Sequence, residues 1–150
     1  MFSQWINQTT HMIMYYQSVN FFKKLVRGTN ITNPYHHLCT TKQGVWLSRL
    51  RMGLSALNSH RHNYNFINSP ICNLCDGESE TTFHFLITCP AHHHARQVLF
   101  NHLQTSFGID TNDQNKTILV ILEGHHISPR HYAELLSCVS VFLTDTDRFR

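Results

Sequence analysis

Four residues between positions 72 and 89 limit most strongly what this chain can fold into. Two residues separate Cys72 from Cys75, eight separate Cys75 from His84, and four separate His84 from Cys89. Cysteines at this spacing let both sulfurs reach one ion at about 2.3 Å, and the other two residues complete a tetrahedron. Gly77 is expected to let the intervening loop turn. Three thiolates and an imidazole favour zinc over magnesium or calcium, in a structural site with no open position.

A second interpretation is that these residues are reduced core cysteines near a buried histidine. The chain has five cysteines, and an odd number at this spacing fits a metal site better than a disulfide framework. Cys39 and Cys138 are predicted to be free thiols. The sequence thus predicts one zinc ion, with Cys72, Cys75, His84 and Cys89 as its ligands.

Neither a membrane span nor a secretion signal is expected. No run approaches the about 18–20 apolar residues that cross a bilayer. The first 20 residues lack an early basic cluster, and polar residues interrupt their apolar ones. The sequence therefore predicts a cytoplasmic or nuclear protein without a membrane partner.

Charge is distributed unevenly along the chain. The net charge is only +3, but residues 1–75 contain seven basic side chains and no acidic one, whereas residues 76–150 contain five basic and nine acidic ones. Such asymmetry favours contact between the first half and a polyanion. The seven basic residues are Lys23, Lys24, Arg27, Lys42, Arg49, Arg51 and Arg61.

Apolar residues at helical spacing predict a mainly α fold, a small helical domain organised around one structural CCHC zinc knuckle. Gly53 is expected to kink or break the second helix, Pro90 to open the third and Gly108 to end it. The predicted helices are 1–27, 45–64, 90–107 and 129–146.

Two segments are less regular. Residues 28–44 are predicted to be a loop, because glycine, asparagine and proline punctuate them. Thr111 and Gln114 resemble a capping box for a further helix, although Ile118–Leu122 alone could equally be a buried strand. The predicted division is an N-terminal helix and linker at 1–43 and a zinc-binding helical domain at 44–150.

Several stretches together resemble one family. The basic run 47–61, the Ser-Pro-Ile-Cys at 69–72, the run 80–86 and the closing 146–149 resemble the region that follows the polymerase in non-LTR retrotransposon reverse transcriptases, as do Cys89-Pro90 and Arg96. The resemblance covers residues 20–150. The quoted runs are LSRLRMGLS at 47–55, LNSHR at 57–61, ETTFHFL at 80–86 and TDRF at 146–149.

In that family the region is a zinc-binding module that engages the RNA or target DNA of the element. The resemblance implies that Cys72, Cys75, His84 and Cys89 are the zinc ligands. It also implies that Arg49, Arg51 and Arg61 contact nucleic acid, because they occupy the basic stretch before the zinc site. The polymerase portion of the same element is a further expected partner.

The chain departs from the family in lacking polymerase residues. It has no Tyr-x-Asp-Asp run, and its nine carboxylates are scattered, whereas two-metal phosphoryl transfer needs several that converge. Asp145 and Asp147 are not predicted to be a catalytic pair. The predicted function is a non-catalytic zinc module that contacts RNA or DNA. The alternative is a zinc-stapled protein-interaction or structural fragment without nucleic-acid activity.

Two further groups allow opposite interpretations. Tyr64 and Phe66, close to Arg61, would stack on unpaired bases or would pack against the zinc knuckle, and packing is favoured. The run 92–94 of three histidines would supply an imidazole near the metal or form a solvated helix face, and the solvated face is favoured.

Overall fold

The computed structural model describes residues 41–149, and these residues form five α-helices, one π-helix and two 3-10 helices. The π-helix is His84–Thr88, and the 3-10 helices are Pro90–His92 and Pro129–His131. Within this part of the chain, the only β pairing is an isolated antiparallel bridge between Ile71 and Ser79. The predicted mainly α fold is confirmed. The α-helices are α1 (Thr41–Met52), α2 (Asn58–Asn63), α3 (His93–Phe107), α4 (Gln114–Glu123) and α5 (Tyr132–Asp145).

One apolar core joins α1, α3, α4, α5 and the π-helix, whereas the buried residues of α2 are polar. α3 packs along α5, and α4 packs against both α1 and the π-helix. Burying a leucine, isoleucine or phenylalanine side chain stabilises a fold by about 1.5–3 kcal/mol, so this core is a substantial source of stability. Its largest fully buried side chains are Phe85, Phe142, Leu47, Leu50, Leu57, Leu86, Leu99, Leu103, Ile118, Ile121 and Leu135.

The helical segment predicted at 45–64 is interrupted at Gly53, as expected, because α1 ends there. Gly53 has a φ of +67°, a left-handed conformation that glycine adopts without steric cost. The N–H of Leu54 donates to the carbonyl of Arg49 (2.9 Å), and the N–H of Gly53 donates to that of Leu50 (3.4 Å). These two bonds form a Schellman motif, which ends α1.

Other boundaries differ from the predictions. Thr41–Gly44 were predicted to end a loop but belong to α1, and the predicted domain boundary after residue 43 therefore falls inside a helix. Ile118–Leu122, which could have been a buried strand, belongs to the helix α4. Its cap is Asp113, whose carboxylate accepts the N–H of Lys116, so the predicted capping box is wrong. The predicted helix at 1–27 and Cys39 lie outside the described residues.

Some of the apolar residues whose helical spacing predicted the helices lie at the surface. Val45, Leu54 and Val98 are each at least 40% exposed. The stripe of α5 is buried as predicted, with Leu135, Leu136, Val139, Phe142 and Leu143 facing the core. None of the helices within 41–149 combines the length and apolarity that a bilayer span requires.

The glycines that end α3 and α4 offer a matched test of local packing. Gly108 and Gly124 have φ values of +63° and +66°, but a Cβ at Gly108 would meet nothing within 4 Å, whereas one at Gly124 would lie 3.1 Å from Cε1 of Tyr132. We expect Gly108→Ala to cost about 1–2 kcal/mol, the price of the left-handed conformation alone. Gly124→Ala should cost about 1 kcal/mol more, because Tyr132 must move. Urea unfolding of both metal-loaded variants measures the difference, and equal losses would contradict the predicted clash.

Candidate metal centre

The first cysteine pair lies in a tight loop, residues 70–80, which we call the knuckle loop. The N–H of Cys72 donates to the carbonyl of Glu78 (2.8 Å), and the N–H of Asp76 donates to that of Cys72 (2.9 Å). Asp76 turns the chain with a φ of +51°. The left-handed residue of the loop is therefore Asp76, whereas Gly77, which was expected to supply the turn, does not have a positive φ.

The other two candidate ligands are positioned by the π-helix. His84 and Cys89 are five residues apart, and on an α-helix their side chains would point about 140° away from each other. In the π-helix the N–H of Cys89 instead donates to the carbonyl of His84 over 2.7 Å, the i→i+5 bond that defines this wider turn. The wider turn allows an imidazole and a thiol with four residues between them to reach one point.

The four side chains converge as predicted. Their ligand atoms all lie within 4.8 Å of one another. Sγ of Cys72 is 3.9 Å from Sγ of Cys89, and Sγ of Cys75 is 3.4 Å from Nε2 of His84. Ligands of a tetrahedral zinc ion would be about 3.8 Å apart for two sulfurs and about 3.6 Å for sulfur and nitrogen. The group therefore has the dimensions to hold a metal ion, and the interpretation as unrelated core cysteines is not needed.

The imidazole of His84 is oriented by its second nitrogen. Nδ1 lies 3.2 Å from Oε2 of Glu78 and 3.2 Å from Oγ1 of Thr88. A proton on Nδ1 satisfies the carboxylate and leaves Nε2 unprotonated toward the three sulfurs. Histidine ligands are commonly held in this way, and such partners raise the basicity of the ligand and fix its tautomer.

The thiols differ in how readily they ionise. The backbone N–H of Gly77 points at Cys75 and lowers the pKa of that thiol. Burial raises the pKa of Cys89 to about 11, and the neighbouring Cys72 adds to the increase. Thiolates are the form that binds metal, so binding must release protons, and metal affinity should fall as pH falls.

Arg96 closes the end of the π-helix. Its guanidinium donates to the carbonyls of Cys89 (2.6 Å), Leu86 (3.0 Å) and Phe85 (3.5 Å). These carbonyls lie at the end of the π-helix, where partners within a helix run out. The carbonyl of Cys89 also accepts the N–H of His92 (3.3 Å). Burial lowers the pKa of Arg96, while the neighbouring Cys89 raises it. Three thiolates and a divalent ion would together carry one net negative charge. The buried guanidinium of Arg96 lies beside that site.

An ion pair between the buried Glu80 and the part-buried Arg148 links the knuckle loop to the last described residues. Arg148 donates to Oε1 of Glu80 (2.5 Å) through Nε and to Oε2 (2.6 Å) through Nη2. Oε2 also accepts the N–H of Asn58 (2.7 Å) at the start of α2. Phe149 packs against Phe85, with ring centroids 5.2 Å apart. Sequence reasoning placed Glu80 and Arg148 in stretches that resemble the family but did not predict that they pair.

The three arginines predicted to contact nucleic acid have different surroundings. Arg49 and Arg61 are exposed, whereas Arg51 is only 5% exposed. Arg51 lies beside Glu123, whose pKa is raised by burial and lowered by this guanidinium. Arg51 thus faces the core side of α1, and its position leaves little surface for a phosphate.

The histidine run and the aromatic pair also differ from their favoured interpretations. His93 and His94 are exposed, as the solvated face requires, but His92 is buried with its ring edge against Phe85. Burial, and next the charge of Arg96, lowers the pKa of His92. Tyr64 and Phe66 are 55% and 74% exposed, which contradicts packing against the knuckle loop.

Cys138 is reduced, as predicted. It is half-buried on α5, where its thiol donates to the carbonyl of Glu134, and burial raises its pKa. An inert thiol of this kind differs from the three clustered cysteines and provides a natural control for them.

Comparison with known proteins adds no relative. No family model, no curated protein and no solved structure matches this chain. The candidate site therefore depends on its own geometry.

Proposed function

We propose that this chain is a zinc-binding module that contacts RNA or DNA through its basic first half and performs no catalysis of its own. The observation that carries the proposal is the attachment of an exposed, acid-free basic segment, α1 and α2, to the Cys3His group. The sequence resemblance to non-LTR retrotransposon reverse transcriptases supports the same role.

Zinc is the ion we assign to the site. Three sulfurs and one imidazole at tetrahedral spacing match the ligand set and geometry that zinc prefers. Four protein ligands leave no position for water or substrate, which supports a structural role. Within residues 41–149, the Cys3His group is also the only metal-binding cluster of histidine, cysteine and carboxylate side chains, so these residues provide no carboxylate group for two-metal chemistry.

The basic segment is fixed to the metal centre by hydrogen bonds. The N–H of Ser59 donates to the carbonyl of Glu80 (3.3 Å), and the side-chain amide of Asn58 donates to the carbonyl of Ile71 (2.6 Å). His60 lies 2.6 Å from Oγ of Ser55 and 3.4 Å from Oγ1 of Thr82, so it bridges the start of α2 and the residues before the π-helix. These bonds orient α2 and its Arg61 relative to the metal ligands.

The charges of this segment suit a polyanion. Lys42 and Arg49 are exposed seven residues apart on α1, about 10 Å along one face of the helix. Arg61 is exposed on α2, and no acidic residue occurs between positions 41 and 75. Phosphate contacts by such side chains position a protein on nucleic acid and supply most of its non-specific affinity.

The salt dependence of binding tests the proposal. We expect the double variant Arg49→Gln, Arg61→Gln to bind single-stranded RNA more weakly than wild type. Each lost phosphate contact releases one counterion fewer, so a plot of log affinity against log salt should be flatter by about 1.4 for two contacts. Fluorescence anisotropy with a labelled oligomer at several salt concentrations measures this slope.

The control is Lys116→Gln, Arg130→Gln, which removes two cations from the acidic half of the chain. It should leave the slope unchanged. If this control flattens the slope equally, or if wild type binds neither RNA nor duplex DNA at low salt, the nucleic-acid proposal is wrong. The alternative of a zinc-stapled protein-interaction fragment would then take its place.

A further inference from the structure

The turn that ends α2 holds two exposed aromatic residues in a fixed backbone. The N–H of Phe66 donates to the carbonyl of Arg61 (2.9 Å), and the N–H of Asn65 donates to that of His62 (2.9 Å). Asn65 takes the left-handed conformation, with a φ of +59°. This is a second Schellman motif, so Tyr64 and Phe66 lie on a rigid turn and not on a loose loop.

The exposure of Tyr64 and Phe66 is unusual because the two rings are close together and next to a positive charge. A single exposed apolar residue is normal at a protein surface, but here two aromatic rings flank the same left-handed residue, and neither joins the apolar core. Arg61 is exposed on the last turn of α2, five residues before Phe66, and residues 41–75 contain no acidic side chain. The turn therefore combines two ring faces with an unopposed positive charge.

Those two properties complement one class of partner. The bases of a single strand offer flat faces that stack on aromatic rings, and its phosphates pair with arginine. In a duplex the base faces are covered by one another, so only phosphates and groove edges remain accessible. An apolar protein surface would match the rings but not the charge.

We propose that Tyr64 and Phe66 form a stacking platform for unpaired bases, so that the module prefers single-stranded RNA or DNA to duplex. This inference depends on the proposed nucleic-acid function and specifies its substrate class. The arginines would hold the backbone of the strand while the rings hold its bases.

Three probes of equal length separate these contributions: a labelled single-stranded DNA oligomer, its blunt duplex and an abasic oligomer with the same phosphates but no bases. We expect Tyr64→Ser, Phe66→Ser to weaken binding of the single strand by about 5- to 150-fold for each stacked base lost. Binding of the abasic oligomer should not change. Stacking releases no counterions, so the salt slope should stay at its wild-type value, in contrast to the arginine variants.

Two variants act as controls. Val98→Ser removes an apolar residue of α3 that is about as exposed as Tyr64, and it should bind all probes as wild type does. Tyr64→Phe, Phe66→Tyr keeps both rings and should retain the preference for single strands. Circular dichroism verifies that each variant keeps the helical fold.

Each outcome decides the matter. Selective loss of single-strand binding in the serine variant supports the platform. Wild-type affinity of that variant, while the Arg49 and Arg61 variants lose affinity, overturns the platform and leaves the proposed function intact. An equal loss on all three probes also overturns it, because stacking cannot weaken binding to an oligomer without bases. Failure of wild type to bind any probe overturns the proposed function itself.

Discussion

Removing the zinc ion that we propose for the Cys3His group should unfold this protein and not merely loosen it. We expect Cys72→Ser, or wild type treated with a strong chelator, to lose most of its helical circular dichroism. Small structural zinc sites provide about 10–16 kcal/mol of apparent binding free energy, whereas a domain of this size is stable by about 5–15 kcal/mol in total. Cys72 and Cys89 are completely buried, with their sulfurs 3.9 Å apart. Without an ion, the fold would have to keep these sulfurs together as neutral thiols that no longer bind a metal.

Elemental analysis should find one equivalent of zinc in the wild-type protein. Cys138→Ser is the control, because Cys138 lies outside the group and a serine hydroxyl can donate to the same carbonyl of Glu134. This variant should keep both its zinc and its helices. A metal-free protein that melts cooperatively, together with a Cys72→Ser variant of wild-type stability, would contradict the structural role of the ion.

The second large effect should come from Glu80, which is only 2% exposed. Glu80→Gln should destabilise the metal-loaded protein by about 3 kcal/mol, the lower end for breaking a buried ion pair, because the side chain of Arg148 is 20% exposed. The substitution keeps the shape of the side chain but removes the charge that pairs with the guanidinium of Arg148, and it turns an amide N–H₂ toward that cation. Glu80 raises the pKa of Arg148 in the wild-type protein. Without Glu80 the guanidinium still stays charged, because arginine does not lose its proton near neutral pH. Urea unfolding at neutral pH measures the loss.

Glu134→Gln is the matched control. Glu134 pairs with His102 over 3.0 Å, but both side chains are at least 40% exposed. Exposed pairs contribute about 0–1 kcal/mol, because water screens the charges and the side chains lose entropy when they are held together. If Glu80→Gln costs no more than this control, the buried pair does not stabilise the fold in the way its geometry implies.

The convergence of Cys72, Cys75, His84 and Cys89 could be predicted from sequence because coordination chemistry restricts both residue type and spacing. Gly53, Gly108 and Pro90 were also predicted correctly, because each acts through its own backbone and needs no distant partner. The π-helix was not predicted. The four-residue gap between His84 and Cys89 fits an α-helix poorly, and that mismatch was the signal for a wider turn.

Sequence patterns were less informative where the surroundings of a residue decide its role. Arg49 and Arg51 were treated as one basic group, but residues two positions apart on an α-helix point to nearly opposite sides. Leu47, Leu50 and Arg51 follow the i, i+3, i+4 pattern of a core face, so this burial was readable from the sequence. The pair of Glu80 and Arg148 could not be predicted from the sequence, because its members are 68 positions apart and no local pattern links them.

That separation also sets an order in time during synthesis. Cys72 and Cys89 lie 17 residues apart, and Glu80 and Arg148 lie four times as far apart, which adds only about 1.2 kcal/mol of loop-closure cost. On a ribosome that adds about 5–20 residues per second, however, the 59 residues from Pro90 to Arg148 take roughly 3–12 s to appear. If the Cys3His group binds zinc as we propose, the nascent chain could therefore take up the ion before Arg148 has been synthesised, and Glu80 would gain its ion-pair partner only later.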